Sequence, residues 1–250
     1  MTGSANDRVG ELTASLAALR SRLARAAQAV GRSTEGIALL PITKFFPASD
    51  VAILWRLGCR AFGESRDQEA VAKISEFSRL VPDSGPVRWE MVGQIQRNKA
   101  RSIAGWADAV HSVSTDRVAE ALDKGARQAL GDGRRSRPLR VFVQISLDGD
   151  TSRGGIAIAD RAAVDRICAQ IAGSTGLDLV GLMAVPPLDA DPDAAFAALS
   201  DEHDRIRRTY PDATELSAGM SDDLEAAVRH GSTCVRVGTA LMGGRPLTSP

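Results

Sequence analysis

Lys44 ends the apolar run Leu39-Leu40-Pro41-Ile42-Thr43 and is followed by Phe45 and Phe46. An amine at a strand end beside two aromatic rings is expected to be partly desolvated. Burial disfavours an ammonium and favours the neutral amine that attacks carbonyls. Competing amines are few, because only Lys73, Lys99 and Lys124 join Lys44 among the 31 Lys and Arg residues. Lys73 and Lys124 fall within helical patterns and read as solvated. Lys99 follows Gln96-Arg97-Asn98 and reads as a structural residue at a helix start. Two turns late in the chain carry hydroxyls and glycines, Ser217-Ala218-Gly219-Met220-Ser221 and Gly238-Thr239. Ser221 is placed to cap the helix that follows, where free N–H groups can receive an anion. Gly238 lets the backbone approach a ligand, and Thr239 adds a hydroxyl and an N–H. Together these residues suit an aldehyde that carries a phosphate. The competing readings are a lysine snorkelling from a strand end and two ordinary strand-to-helix turns with conventional caps.

Arg236 lies inside the run Cys234-Val235-Arg236-Val237. An unpaired buried guanidinium is costly. It therefore requires either a structural salt bridge or a hydrogen bond to a ligand, through a ring nitrogen or a phosphate. No metal site is expected, since His111, His203 and His230 share no ligand spacing. Cys59, Cys168 and Cys234 are odd in number, widely spaced and free of any C-x-x-C pattern. They read as small buried hydrophobes rather than a disulfide framework or zinc knuckle.

Positioning these groups takes an alternating chain. Apolar residues at helical spacing from Val9 to Val30, stopped by Gly31, predict a first helix. Strands are then predicted at Ile37–Thr43, Ala61–Glu64, Val87–Val92, Ala109–Ser112, Leu139–Ile145, Leu177–Met183, Thr214–Ser217 and Cys234–Val237. Between them the pattern predicts helices at Val51–Leu57, Gln68–Phe77, Gln96–Ala104, Val118–Leu130 with Thr115 as N-cap, Asp160–Ala172, Pro192–Thr209 and Asp222–His230. Short apolar strands separated by helices predict parallel βαβ units. Eight of them in 250 residues predict an α/β fold, a single (β/α)8 TIM-type barrel with an extra N-terminal helix. One domain is expected, with residues 1–35 as a helix packing on a barrel of residues 36–250. Such barrels place active sites at the C-terminal ends of their strands and hold phosphates in the turns after strands seven and eight. Lys44 and the two turns stand at those places.

Composition sets the remaining bounds. The chain is 44% hydrophobic and 25% charged, enough for a core, and its formal net charge is zero. No whole-chain attraction to nucleic acid or an anionic membrane is expected. The cluster Arg134, Arg135, Arg137 and Arg140 reads as a solvated loop. The N-terminus lacks the apolar region of a signal peptide, and no uninterrupted apolar stretch reaches the roughly 18 residues of a membrane helix. A cytoplasmic monomer is expected.

The same residues carry a resemblance. Thr43-Lys44, Phe62-Gly63-Glu64, the segment from Val92 to Lys99, His111-Ser112-Val113, Gly181-Leu182-Met183, the segment from Leu216 to Asp222 and the segment from Gly231 to Ala240 follow one another in the order of a known family. The chain, from about Ile37 to Gly244, resembles the pyridoxal phosphate (PLP) homeostasis proteins, whose barrel is similar to the N-terminal domain of alanine racemase. The resemblance implies that Lys44 holds PLP as an aldimine. It implies that Ser217, Ser221, Gly238 and Thr239 surround the cofactor phosphate and that Arg236 faces the pyridine nitrogen. The sequence departs from the family pattern at Ser65, Gln94 and Ala218, where Asn, His and Met are usual.

What such a protein does with PLP is a separate question. PLP chemistry draws electrons into a protonated ring. Arginine only donates hydrogen bonds, so at the ring nitrogen it leaves that atom unprotonated and the electron sink weak. Racemases also use a second base, a tyrosine from outside the barrel; here Tyr210 is the single tyrosine, at a helix end. The expectation is a non-catalytic carrier or regulator of intracellular PLP and amino-acid homeostasis, with PLP-dependent apoenzymes as partners. The alternatives are a PLP-dependent racemase or decarboxylase and, more remotely, a cofactor-free Schiff-base aldolase acting on a phosphorylated sugar.

Overall fold

A computed structural model describes residues 2–187 and 189–244. Met1 and residues 245–250, the ends of the two expected ranges, lie outside the described residues. The first helix, α1 (Thr2–Ala29), begins earlier than its apolar pattern. Leu12, Leu16, Leu19, Leu23 and Ala27 form its buried stripe, at the three- and four-residue steps of a helix face. Its end is closed by Gly31 N–H to Gln28 O and Arg32 N–H to Ala27 O, the paired bonds that terminate helices at a left-handed residue.

Nine strands form one parallel sheet among the described residues. They are β1 (Ala38–Pro41), β2 (Ala61–Glu64), β3 (Arg88–Met91), β4 (Ala109–Val113), β5 (Leu139–Ser146), β6 (Ile156–Ala157), β7 (Leu177–Ala184), β8 (Glu215–Ser217) and β9 (Cys234–Val237). The order is β1-β9-β8-β7-β5-β4-β3-β2, with β6 paired to the end of β5. A bridge between Ile42 and Gly63, with Thr43 N–H bonded to Gly63 O at 3.0 Å, joins β1 to β2 and closes the circle. The expected eight-stranded barrel is therefore present. Intervening helices are α2 (Ala48–Arg56), α3 (Asp67–Leu80), α4 (Ala100–Trp106), α5 (Asp116–Gly131), α6 (Arg161–Ala172), α7 (Pro192–Thr209), α8 (Leu224–Arg229) and the short α9 (Thr239–Met242). Thr115 caps α5 through Val118 N–H, as expected.

Parity along the strands divides the core. Phe62, Trp89, Val110, Val141 and Leu216 face the helices, in apolar clusters shared with α2 to α7. The alternate positions face inward, where Ala109, Phe142, Val180 and Met183 pack together. Glu90, His111, Ser217 and Arg236 are also buried on that inner side. Gly181 is required by proximity: a Cβ there would lie 1.7 Å from Glu215 O on β8.

Several local expectations are corrected. The helix predicted from Gln96 opens as a 3-10 turn, Arg97–Lys99, before α4. The basic cluster is not wholly solvated. Arg135 donates to Ala104 O and Ala107 O at the end of α4, where helix carbonyls lack partners, and burial lowers its pKa. Arg140 pairs with Glu215 inside the barrel mouth opposite the β-strand C-termini. Strand β6 and helix α9 are too short to register as periodic patterns.

Candidate functional site

The register of β1 and β9 sets the rim. Pro41 lies opposite Val237, and Ile42 N–H bonds Val237 O at 2.8 Å. Lys44 follows two residues later on one strand and Gly238 one residue later on the other, so the lysine turn and the glycine turn are neighbours. A Cβ at Gly238 would meet Ile42 Cβ at 3.8 Å, leaving that approach uncrowded. Lys44 is exposed, which corrects the expected partial desolvation. Its ammonium stands 5.9 Å from the centre of the Phe45 ring, and the Arg66 guanidinium 5.5 Å from the same ring. Lys73 is corrected in the opposite sense: expected to be solvated, it is buried and paired with Glu64.

Below the rim, Arg236 is 5% exposed. Its guanidinium donates to Ser217 Oγ at 2.6 Å and to Ala184 O at 2.8 Å. No carboxylate lies within ion-pair distance among the described residues, so the structural salt bridge considered for Arg236 is not formed. Burial lowers its pKa. Ser217 Oγ also meets His111 Nδ1 at 2.8 Å, and His111 Nε2 meets Glu90 Oε2 at 2.8 Å. The donors can be ordered along this chain. Ser217 accepts from Arg236 and gives its single proton to His111 Nδ1, which leaves Nε2–H to donate to the Glu90 carboxylate. Burial first, with the nearby Arg236 and Arg140 charges, lowers the His111 pKa against the opposing pull of Glu90. Burial works to raise Glu90, but its bond to His111 and the surrounding positive charge hold it below the usual carboxylate range. Phe142 stacks on the imidazole at 4.3 Å. The hydroxyl of Ser217 is thus engaged inside the barrel, by Arg236 and His111 at the last position of β8.

The two late turns are joined to each other. Ser221 Oγ accepts the Ala240 N–H at 3.3 Å, linking the segment after β8 to α9. It does not cap α8, whose preceding turn is instead tied by Met220 N–H to the Asp223 carboxylate at 2.5 Å. Arg22 of α1 donates to Ser221 O at 2.9 Å and pairs with Glu225 on α8, supporting the turn from outside. Gly219 has φ +90, and a Cβ there would lie 2.5 Å from Ala227 Cβ. Ser221 and Gly238 are half-buried, and Thr239 is exposed at the start of α9.

The structure thus brings Lys44, Ser221, Gly238 and Thr239 to one rim, with Arg236 and Ser217 beneath it. Glu90, Ala184 O and the support given by His111 and Lys73 were not foreseen. A signal existed: β3, β4, β5, β8 and β9 each carry a charged or imidazole residue at an inward position, Glu90, His111, Arg140, Glu215 and Arg236. Among the described residues no group of three or more His, Cys, Asp or Glu side chains could hold a metal ion.

This barrel, with an amine and two late turns at one rim, matches the pattern of the alanine racemase N-terminal domain family over residues 14–246. At the level of individual relatives, it is 61% identical over 249 residues to the pyridoxal phosphate homeostasis protein of Mycobacterium tuberculosis, covering 98% of this chain and 96% of that one. It is 35% identical over 240 residues to the Escherichia coli protein of the same name, covering 95% and 98%. The solved structure of PipY from Synechococcus elongatus with PLP bound superposes with a TM-score of 0.76 at 32% identity, over 93% of this chain and all of that chain. The chain belongs to the pyridoxal phosphate homeostasis protein family, within the alanine racemase N-terminal domain fold.

Proposed function

We propose that this protein binds PLP at the barrel rim, through Lys44, and serves intracellular PLP and amino-acid homeostasis without conventional PLP catalysis. When bound, PLP supplies an aldehyde that bonds reversibly to amines and a ring that can withdraw electrons. The observation that carries the reading is Arg236, a buried cation whose hydrogen-bond partners, Ser217 Oγ and Ala184 O, are both neutral. An uncharged ring nitrogen is the acceptor such a donor suits, since a guanidinium cannot give up its proton. Lys44 Nζ supplies the amine: a C=N bond forms to the aldehyde carbon and the aldehyde oxygen leaves as water. Ser221, Gly238 and Thr239 supply a hydroxyl and backbone N–H groups for the phosphate. Ser217 acts one step back, by holding Arg236. The bound PLP of the PipY structure supports this reading through the family likeness.

Two features favour a carrier over a racemase or decarboxylase. Arg236 keeps a ring nitrogen unprotonated, which weakens the electron sink. Tyr210 follows α7 and precedes β8, so it lies at the end of the barrel away from Lys44 and is no second base. The reading extends to a cytoplasmic monomer that supplies PLP-dependent apoenzymes and acts as one unit, with residues 1–35 packed on the barrel. In support of that unit, α1 shares apolar clusters with α2 and α8. Arg8 ties it to Asp50 at 2.7 Å. No helix of the described residues is long and apolar enough to cross a membrane.

The test uses the full-length protein with PLP. Lys44→Ala should abolish the visible absorbance of the lysine adduct while the far-ultraviolet circular dichroism stays unchanged. Amino-acid α-protons should exchange in deuterated water far below ordinary enzymatic turnover of about 1–10³ per second. Retained absorbance would overturn the Lys44 assignment, and stereospecific exchange at enzymatic rates would overturn the carrier reading.

A further inference from the structure

Lys73 is a buried charge that the proposed binding chemistry leaves unused. Its side chain is 5% exposed. Three donors meet three acceptors: Thr43 O at 2.7 Å, Glu64 Oε1 at 2.6 Å and Glu69 Oε1 at 3.3 Å. These acceptors come from the segment just after β1, the end of β2 and the preceding turn of α3. Thr43 Oγ1 donates to the same Glu64 oxygen at 2.6 Å. Glu69 also accepts the N–H of Phe45. The residues on both sides of Lys44 are therefore fastened to one cluster of a single cation and two carboxylates.

Between those fastenings the backbone is strained. Phe45 has φ +70, and it is the one non-glycine residue with positive φ among the described residues. A bulky side chain keeps that conformation only where its surroundings enforce it. The cluster is itself costly. Glu64 is fully buried, its Oε2 has no hydrogen-bond partner among the described residues, and burial raises its pKa against the pull of Lys73. A buried charge group with an unsatisfied oxygen contributes poorly to stability compared with apolar packing. Its location gives it a purpose, since it converges on the turn that launches Lys44. The left-handed residue also sets the Phe45 ring beside both the Lys44 ammonium and the Arg66 guanidinium.

We propose that Lys73 is a positioning residue for Lys44: with Glu64 and Glu69 it locks the strained Phe45 turn and fixes the direction in which the Lys44 amine leaves the rim. This rests on the reading of Lys44 as the site of PLP attachment. Attachment requires the amine nitrogen to approach the aldehyde carbon while the rest of the ligand is held elsewhere. Misplacement by about 1 Å can cost on the order of a hundredfold in rate.

The experiment measures the rate at which PLP becomes attached to Lys44, by borohydride quenching and intact mass, in the wild type, Lys73→Met and Glu69→Ala. The acetylation rate of Lys44 by acetic anhydride, a reagent with no second anchor, is measured alongside, together with the melting temperature. The expected result is attachment slowed roughly 10–100-fold in Lys73→Met and slowed in the same direction in Glu69→Ala, with acetylation of Lys44 unchanged. Attachment at the wild-type rate with only a lower melting temperature would identify an ion pair of structural value alone and overturn the proposal. Equal slowing of attachment and acetylation would also overturn it. If Lys73→Met does not fold, the half-buried Glu69→Ala decides on its own: an unchanged rate there refutes the lock. A wild type that attaches nothing at Lys44 removes the underlying assignment as well, an outcome distinct from normal attachment in the variants.

Discussion

Among individual residues, Arg236 is a buried cation whose side-chain hydrogen bonds go to two neutral acceptors. A guanidinium surrounded by neutral acceptors stays charged, and it gains most when a further acceptor arrives. Replacing it in Arg236→Gln should weaken PLP binding by roughly 10–100-fold, the equivalent of one charge-assisted hydrogen bond of about 1.5–3 kcal/mol. Equilibrium titration of the visible absorbance checks this, and unchanged affinity with a lower melting temperature would make the arginine structural. Ser217→Ala breaks the link between Arg236 and His111 without touching the rim. It should weaken binding in the same direction but by less, and an effect larger than that of Arg236→Gln would place Ser217 against the ligand.

At the level of elements, the strand-and-helix alternation was legible because short segments rich in apolar residues, bounded by turn residues, recur between helical patterns, even though β3, β4, β5, β8 and β9 each carry a charged or imidazole residue. Pro192–Thr209 and Cys234–Val237 coincide with α7 and β9. The late turns were legible as turns, but their internal bonding was not. Ser221 looked like a helix cap because Asp222 follows it; in the fold, Asp223 takes the nearby N–H and Ser221 reaches across to Ala240. Such a bond depends on where two turns meet, which no local pattern encodes. The burial of Lys73 has a related cause: it follows from partners at Thr43, just after β1, and Glu64, at the end of β2, which the helical pattern around it does not encode. Gly219 offers a clean test of the turn itself. Gly219 and Gly231 have φ of +90 and +91, yet the first is crowded by Ala227 and the second faces only Ser200 Oγ at 3.9 Å. Gly219→Ala should therefore cost about 1–3 kcal/mol more than Gly231→Ala, or roughly 2–12 °C in melting temperature at the 2–4 °C per kcal/mol expected for this size. Equal melting temperatures would show that the turn yields to the extra methyl.

For the molecule as a whole, the barrel exchanges a purely apolar interior for a polar column from Glu90 to Arg236. That choice should be visible in the pH dependence of stability. His111 and His203 both have pKa values lowered by burial from the ordinary 6.5. Between 6.5 and their lowered native values the unfolded chain binds more protons than the folded one, so stability must fall as pH falls. Glu90, also lowered, adds a loss in the same direction as pH drops through and below its ordinary 4.5. Glu64, raised by burial, acts oppositely above 4.5, since its protonated form suits the folded state. His111 should therefore contribute a loss of stability from pH 7 to pH 5.5, so the melting temperature of His111→Asn should fall less, or rise more, over that interval than that of the wild type. An identical pH dependence in the two proteins would contradict the proton assignment along the column.

The central claim is that one amine, Lys44, receives PLP at this rim. Peptide mapping of the borohydride-reduced protein after incubation with PLP addresses it most directly. The expected result is a single reduced adduct on the peptide containing Lys44, at one equivalent per chain. No adduct, or an adduct confined to Lys73, Lys99 or Lys124, would contradict the account.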